Sequence, residues 1–132
     1  MIRTFALSLL LAAAAGLGAC EKQTAVGLSG EKLTIYKPSD EHIQQGETGE
    51  VDVRVNRSKF DGPLTVAISD LPAGIHVTNT SMTIPSDDSK LTLNLSADAT
   101  ATVVKDQVVN VRVTSANGIT ASESFKITVA AR

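Results

Sequence analysis

The chain has 132 residues, 42% of them hydrophobic and 20% charged, with 12 Lys and Arg against 14 Asp and Glu. That size fits one modest domain behind a leader. A formal charge of -2 supplies no basic field for nucleic acid, and 3% aromatic residues leave few platforms on which bases or sugars could stack. A single cysteine excludes both an intramolecular disulfide framework and a multi-cysteine metal site.

Residues 1–19 carry one positive charge, Arg3, and then an apolar run from Phe5 to Leu17, the pattern of a secretory signal peptide. The run is shorter than the ~20 residues a membrane-crossing helix needs, and no basic stop-transfer cluster follows. Leu17-Gly18-Ala19-Cys20 resembles the lipobox of bacterial lipoproteins. The resemblance implies cleavage between Ala19 and Cys20, a diacylglyceryl thioether on the Cys20 sulfur, and acylation of the new amino terminus. The residue types suit that chemistry, because a thiol becomes a soft nucleophile near neutral pH and small side chains at Gly18 and Ala19 admit the backbone to a narrow protease cleft. The alternative is an ordinary signal peptide cut after Ala19, leaving a free thiol.

Each buried methylene contributes ~0.8 kcal/mol, so two or three acyl chains fix a protein to a membrane durably. Glu21 follows the cysteine, in place of the aspartate associated with inner-membrane retention in enterobacterial lipoproteins, which favours the outer membrane. Loss of Arg3 with the leader leaves 11 Lys and Arg against 14 acids, a weakly acidic mature chain. Residues 20–31 are expected to form the lipidated cysteine and a flexible tether, since Glu21 to Glu31 mixes polar residues with Gly27 and Gly30 and has no sustained period. About ten such residues reach at most ~35 Å, enough to lift a domain clear of the headgroups.

From residue 32 onward the apolar residues alternate. Leu33 to Lys37 is a weak strand; Val51, Val53 and Val55 alternate with Asp52 and Arg54; Leu64, Val66 and Ile68 flank Thr65 and Ala67. Ser81 to Ile84 is a second weak strand, and Leu91 to Leu95, Val109 to Val113 and Phe125 to Val129 repeat the period of two. Turn residues separate them. Ser58 to Pro63 is read as closing the first long hairpin, Leu71-Pro72-Ala73-Gly74 as a tight turn, Pro85 to Ser89 as a strand end, Ala97 to Val104 as a loop between sheets, and Asn117-Gly118 as a type I′ hairpin turn. Strands with one apolar face must pack as two antiparallel sheets.

The run Gly62-Pro63-Leu64-Thr65-Val66, then Leu71 to Val77, Met82 to Pro85 and Leu91 to Ala97, closed by the Val109 to Val129 hairpin, resembles the bacterial immunoglobulin-like domains of secreted and cell-surface proteins. The resemblance implies an all-β fold for residues 32–132, a single immunoglobulin-like antiparallel β-sandwich of about seven strands. Such modules serve as spacers, adhesion units or companions to catalytic and sugar-binding domains. Their motifs specify fold far better than activity.

Catalytic chemistry finds little to work with. The only bases are His42 and His76, no G-x-S-x-G elbow is present, and no HxH or HExxH spacing suggests a metal. His76 alternates away from Ile75 and Val77 and is expected at the surface; His42 beside Asp40 and Glu41 reads as an exposed polar turn. Met82 shares the inward parity of Ile84 and is expected in the core. Asp87, Asp88 and Ser89, with Asp70 or Asp98, could offer oxygens to calcium but read as ordinary turns. No catalytic residue, metal or cofactor is therefore assigned. Glu123 falls on the parity of Ala121 and Phe125, where an unpaired carboxylate cannot be buried cheaply; a β-bulge between Ala121 and Phe125, a strand end that runs past the core, or pairing with Arg112 or Arg54 would resolve it.

The expected function is a membrane-anchored, non-enzymatic envelope lipoprotein whose domain meets a protein partner or serves as a structural element. A Thr-, Ser- and Asn-rich outward face suits such contacts. The alternative is a cell-surface carbohydrate-binding module using Tyr36 and Phe60 as a small contact patch.

Overall fold

The computed structural model describes residues 21–132, so Ala19, Cys20 and the leader lie outside the described residues. Over the described residues the chain is all-β, with ten strands: β1 (Lys22–Val26), β2 (Lys32–Tyr36), β3 (Glu41–Gln44), β4 (Thr48–Ser58), β5 (Leu64–Ser69), β6 (Ile75–Val77), β7 (Thr83–Ile84), β8 (Lys90–Ala97), β9 (Val104–Ser115) and β10 (Thr120–Ala130). They form two five-stranded sheets, ordered β1-β2-β4-β8-β6 and β3-β10-β9-β5-β7. The order β2-β4-β8-β6 opposite β10-β9-β5 reproduces the ABED and GFC sheets of an immunoglobulin-like sandwich, with β1 added outside β2.

Alternation builds the core. Val51, Val53 and Val55 of β4, Leu93 and Leu95 of β8, Val109, Val111 and Val113 of β9, and Phe125, Ile127 and Val129 of β10 all turn inward and are buried. Their polar neighbours face out, as the pleat requires. Met82 is half-buried and packs against this core, while His76 points away from it.

Five local readings of the sequence differ from what the fold shows. Lys22–Val26 is strand β1, not tether: it runs antiparallel to β2, with Lys22 opposite Tyr36 and Val26 opposite Lys32. Only Ala25 of this strand is half-buried, so hydrophobic periodicity carries no trace of it; the ladder and a Thr24–Thr34 hydroxyl contact of 2.9 Å hold it. β3 is likewise too short, with one buried residue, to register as alternation, whereas the alternation of His76 with Ile75 and Val77 marks the three-residue strand β6. Ser58 to Pro63 does not close a hairpin, because both edges of β4 are taken by β2 and β8; the chain instead crosses to the other sheet and starts β5 beside β9.

The β9–β10 hairpin is present, but Asn117-Gly118 is not a type I′ turn. Gly118 N donates to Ser115 O at 3.0 Å and Ser115 N to Ile119 O at 2.8 Å, with a positive φ at Gly118 and none at Asn117. That is a type I turn followed by a glycine bulge, a three-residue loop whose twist also suits the strands. Finally, β10 pairs with β9 in unbroken register from Thr120 to Ile127, and its irregularity lies between Ile127 and Val129. The bulge anticipated between Ala121 and Phe125 is therefore absent, and Glu123 stays on the inward parity opposite Val111.

Candidate functional site

Among the described residues the sandwich presents faces and edges rather than a cleft, and several of its polar side chains brace loops and sheet edges. Arg57, near the end of β4, is the most connected. Its Nε donates to Gly62 O at 2.9 Å, Nη1 to Asp88 O at 2.6 Å, and Nη2 to Pro85 O at 2.9 Å and Ile84 O at 3.2 Å. One planar guanidinium thus ties the β4–β5 crossover to the β7–β8 turn, using the rigid fork of donors that only arginine offers. Sequence reading passed over Arg57, because its acceptors are backbone carbonyls that no side-chain motif announces.

Two exposed stretches of sheet edge are sealed by side chains. Beyond β6, Asn79 bonds to β8 as a strand would, donating from Nδ2 to Thr92 O at 2.8 Å and accepting at Oδ1 from Asn94 N at 2.7 Å. β3 runs parallel to β10 and covers it from Ile127 to Ala130. Before that point, Lys126 N donates to Asp40 Oδ1 at 2.9 Å and Lys37 Nζ donates to Ser124 O at 3.2 Å. The Lys126 amide holds the Asp40 carboxyl below the usual carboxylate range, helped by the Lys37 ammonium at 3.4 Å. Covering bare ladder groups in this way blocks unplanned pairing with other chains.

The acidic and basic residues singled out from sequence are dispersed over the domain. His76 Nε2 lies 3.1 Å from Asp98 Oδ2, both side chains more than half exposed, and His42 is exposed on β3. Asp70, in a left-handed conformation (φ 68), is gripped by β9: Asn110 Nδ2 donates to its Oδ2 at 2.6 Å and Gln107 Nε2 to its carbonyl at 2.8 Å. Asp88 Oδ1 accepts from Ser89 N at 2.9 Å. Among the described residues no group of three or more His, Cys, Asp or Glu side chains could hold a metal ion.

Glu123 meets neither arginine expected for it. Arg112 is opposite Ser122 on the outward parity, and Arg54 lies on the outer face of the other sheet, 3.9 Å from Asp52. Glu123 Oε1 accepts from Ser124 N at 3.0 Å, while Oε2 is buried with no hydrogen-bond partner.

Tyr36 and Phe60 do not form a patch. Lys32 pairs with Ser58 and Ile35 with Val55, so Tyr36 stands near Arg54 while Phe60 lies beyond the opposite end of β4. About six residues along the strand direction separate them, close to 20 Å. Phe60 also packs against the core, whereas Tyr36 is 39% exposed. The outer face of β5, β9 and β10 holds a shallow recess of about 490 Å³ edged by Ala67, Asn110, Arg112 and Ser122.

Searches against family models and against curated proteins match nothing. Among solved structures, the chain is similar to a chimeric titin Z1Z2 (14% identity, 83% of this chain and 98% of that one, TM-score 0.47). It is similar also to the BIgI domain of beta protein from S. agalactiae bound to CEACAM1 (19% identity, 77% of this chain and 98% of that one, TM-score 0.44) and to domains 4 and 5 of the S-layer protein SbsC (12% identity, 76% of this chain and 57% of that one, TM-score 0.40). The fold assignment rests on the strand order itself.

Proposed function

We propose that the chain is a bacterial envelope lipoprotein, fixed to a membrane through Cys20, whose immunoglobulin-like domain acts as a non-catalytic protein-interaction or structural module. The observation that carries this reading is how the polar groups are employed. Arg57, Asn79, Asp40 and Asp70 spend their hydrogen bonds on loops and sheet edges, which stiffens a β-sandwich into a scaffold with exposed faces. Leu17-Gly18-Ala19-Cys20 supports the anchor, and Glu21 supports an outer-membrane destination. The separation of Tyr36 from Phe60 withdraws the two-ring platform on which the sugar-binding alternative depended.

The test has two arms. Radioactive palmitate is expected to label the protein and to be lost in Cys20→Ser. A photo-crosslinker at Ser122 in living cells is expected to give one discrete adduct that Asn110→Lys abolishes. A chain that takes no palmitate overturns the anchor. Absence of any adduct, together with unchanged envelope integrity on deletion, overturns the module.

A further inference from the structure

The β1–β2 hairpin leaves little chain between the membrane attachment and the domain. If Cys20 carries the lipid, as proposed above, a single residue separates it from β1, and that residue is already held: Lys37 N donates to Glu21 O at 2.7 Å. Consecutive Cα atoms are ~3.8 Å apart, so a lipid on Cys20 would have only Glu21 as a spacer before Lys22, the first residue of β1.

Register fixes what lies beside it. Lys22 pairs with Tyr36 and Arg54 pairs with Lys90, and Tyr36 follows Ile35 to the position beside Arg54. The four side chains form one row across β1, β2, β4 and β8, on the outer face, and the row spans about 14 Å at the usual strand spacing. Asp52, 3.9 Å from Arg54, and Glu21 offset part of this charge, yet the row stays cationic in a chain whose mature total is acidic. Exposed apolar side chains lie on the same hairpin, toward its other end. Val26 lies on the same outward parity of β1 and Leu28 at the hairpin tip, and these two with Tyr36 account for three of the five large hydrophobic residues most exposed among those described.

We propose that the outer face of the β1–β2 hairpin, with the row Lys22–Tyr36–Arg54–Lys90, rests on the phospholipid headgroup layer and fixes the orientation of the anchored domain. Cations at headgroup depth face phosphate, tyrosine favours the boundary where its ring is half-immersed and its hydroxyl wet, and Leu28 and Val26 enter the acyl margin. The opposite sheet, with β5, β9 and β10, is thereby turned toward the aqueous side, where a protein partner would meet it.

The chain contains one tyrosine and no tryptophan, so its own emission reports on Tyr36 alone. The mature lipidated protein is reconstituted in vesicles of phosphatidylethanolamine and phosphatidylglycerol, with and without a headgroup nitroxide lipid. The expected result is about a twofold loss of Tyr36 emission with the label, as for an aromatic at headgroup depth. The triple variant Lys22→Glu, Arg54→Glu, Lys90→Glu changes only exposed positions and is expected to lose most of that quenching while remaining in the vesicle fraction. Wild-type protein that stays with the vesicles but is not quenched overturns the orientation and leaves the anchor standing; protein that does not float with vesicles overturns both.

Discussion

Replacing Arg57 with methionine keeps a long apolar stem and removes every donor. Four carbonyl oxygens lose their partner, and their surroundings decide the size of the effect. The bonds to Asp88 O and Pro85 O are exposed, so water takes the place of the guanidinium there at little cost. Those to Gly62 O and Ile84 O are partly buried, and an acceptor stripped of its partner in such a place costs ~1–3 kcal/mol. The sum is about 3 kcal/mol. For a domain of roughly 110 residues that is a fall in Tm of about 10–15 °C. Arg57→Lys should fall between, since one ammonium with three donors cannot span acceptors on both loops. Thermal and urea unfolding followed by circular dichroism measures both variants. Limited proteolysis should show earlier cutting between Ile84 and Ser89. A methionine variant that melts within about 2 °C of the parent, less than the shift worth ~1 kcal/mol, would refute the clamp.

Gly74 combines a φ of +89 with backbone contact, a new Cβ meeting Ala101 Cα at 2.6 Å. Gly74→Ala should therefore lose more than the ~1–2 kcal/mol of left-handed strain alone, whereas Gly118→Asn, with a similar φ and open space, should lose under about 1 kcal/mol; urea titration compares them. Glu123→Leu should raise stability by about 1 kcal/mol, because it removes a buried oxygen without a partner, and a lower urea midpoint would contradict that. Asp40 has a lowered folded pKa, so its stabilisation is complete above the ordinary value of 3.8 and fades as pH falls through the folded value. Asp40→Asn should accordingly cost most near neutral pH and converge with the parent in acid, which unfolding at a series of pH values will read. Asn79→Ala strips two ladder surrogates from β8 and should cost ~1–2 kcal/mol, with faster amide exchange at Asn94.

Long strands were legible because their buried side chains alternate: Val51 to Val55, Leu91 to Leu95 and Val109 to Val113 write their own face. β1 was not, because Gln23 and Thr24 bury nothing and the strand exists only as a ladder against β2. That one hidden element reverses a consequence. A tether of about ten residues would hold the domain away from lipid; with the proposed anchor at Cys20, a hairpin beginning at Lys22 would keep it close. The turn between β9 and β10 was recognisable from Asn117-Gly118, but its type depends on φ at Asn117, which the dipeptide leaves open. Tyr36 and Phe60 could not be placed relative to each other without the β2–β4 register. Glu123 was visible as an anomaly of parity, and the fold leaves it one. Arg57 stayed hidden since its partners come from two loops that meet only after folding.

Everything functional turns on the covalent state of Cys20. Intact-mass spectrometry of the protein purified from membranes, followed by sequencing of its first peptide, tests this directly. The account predicts a chain beginning at Cys20 with the added mass of a diacylglyceryl group and an amino-terminal acyl chain. A mature chain with an unmodified Cys20 thiol, or one that retains its leader, would contradict it.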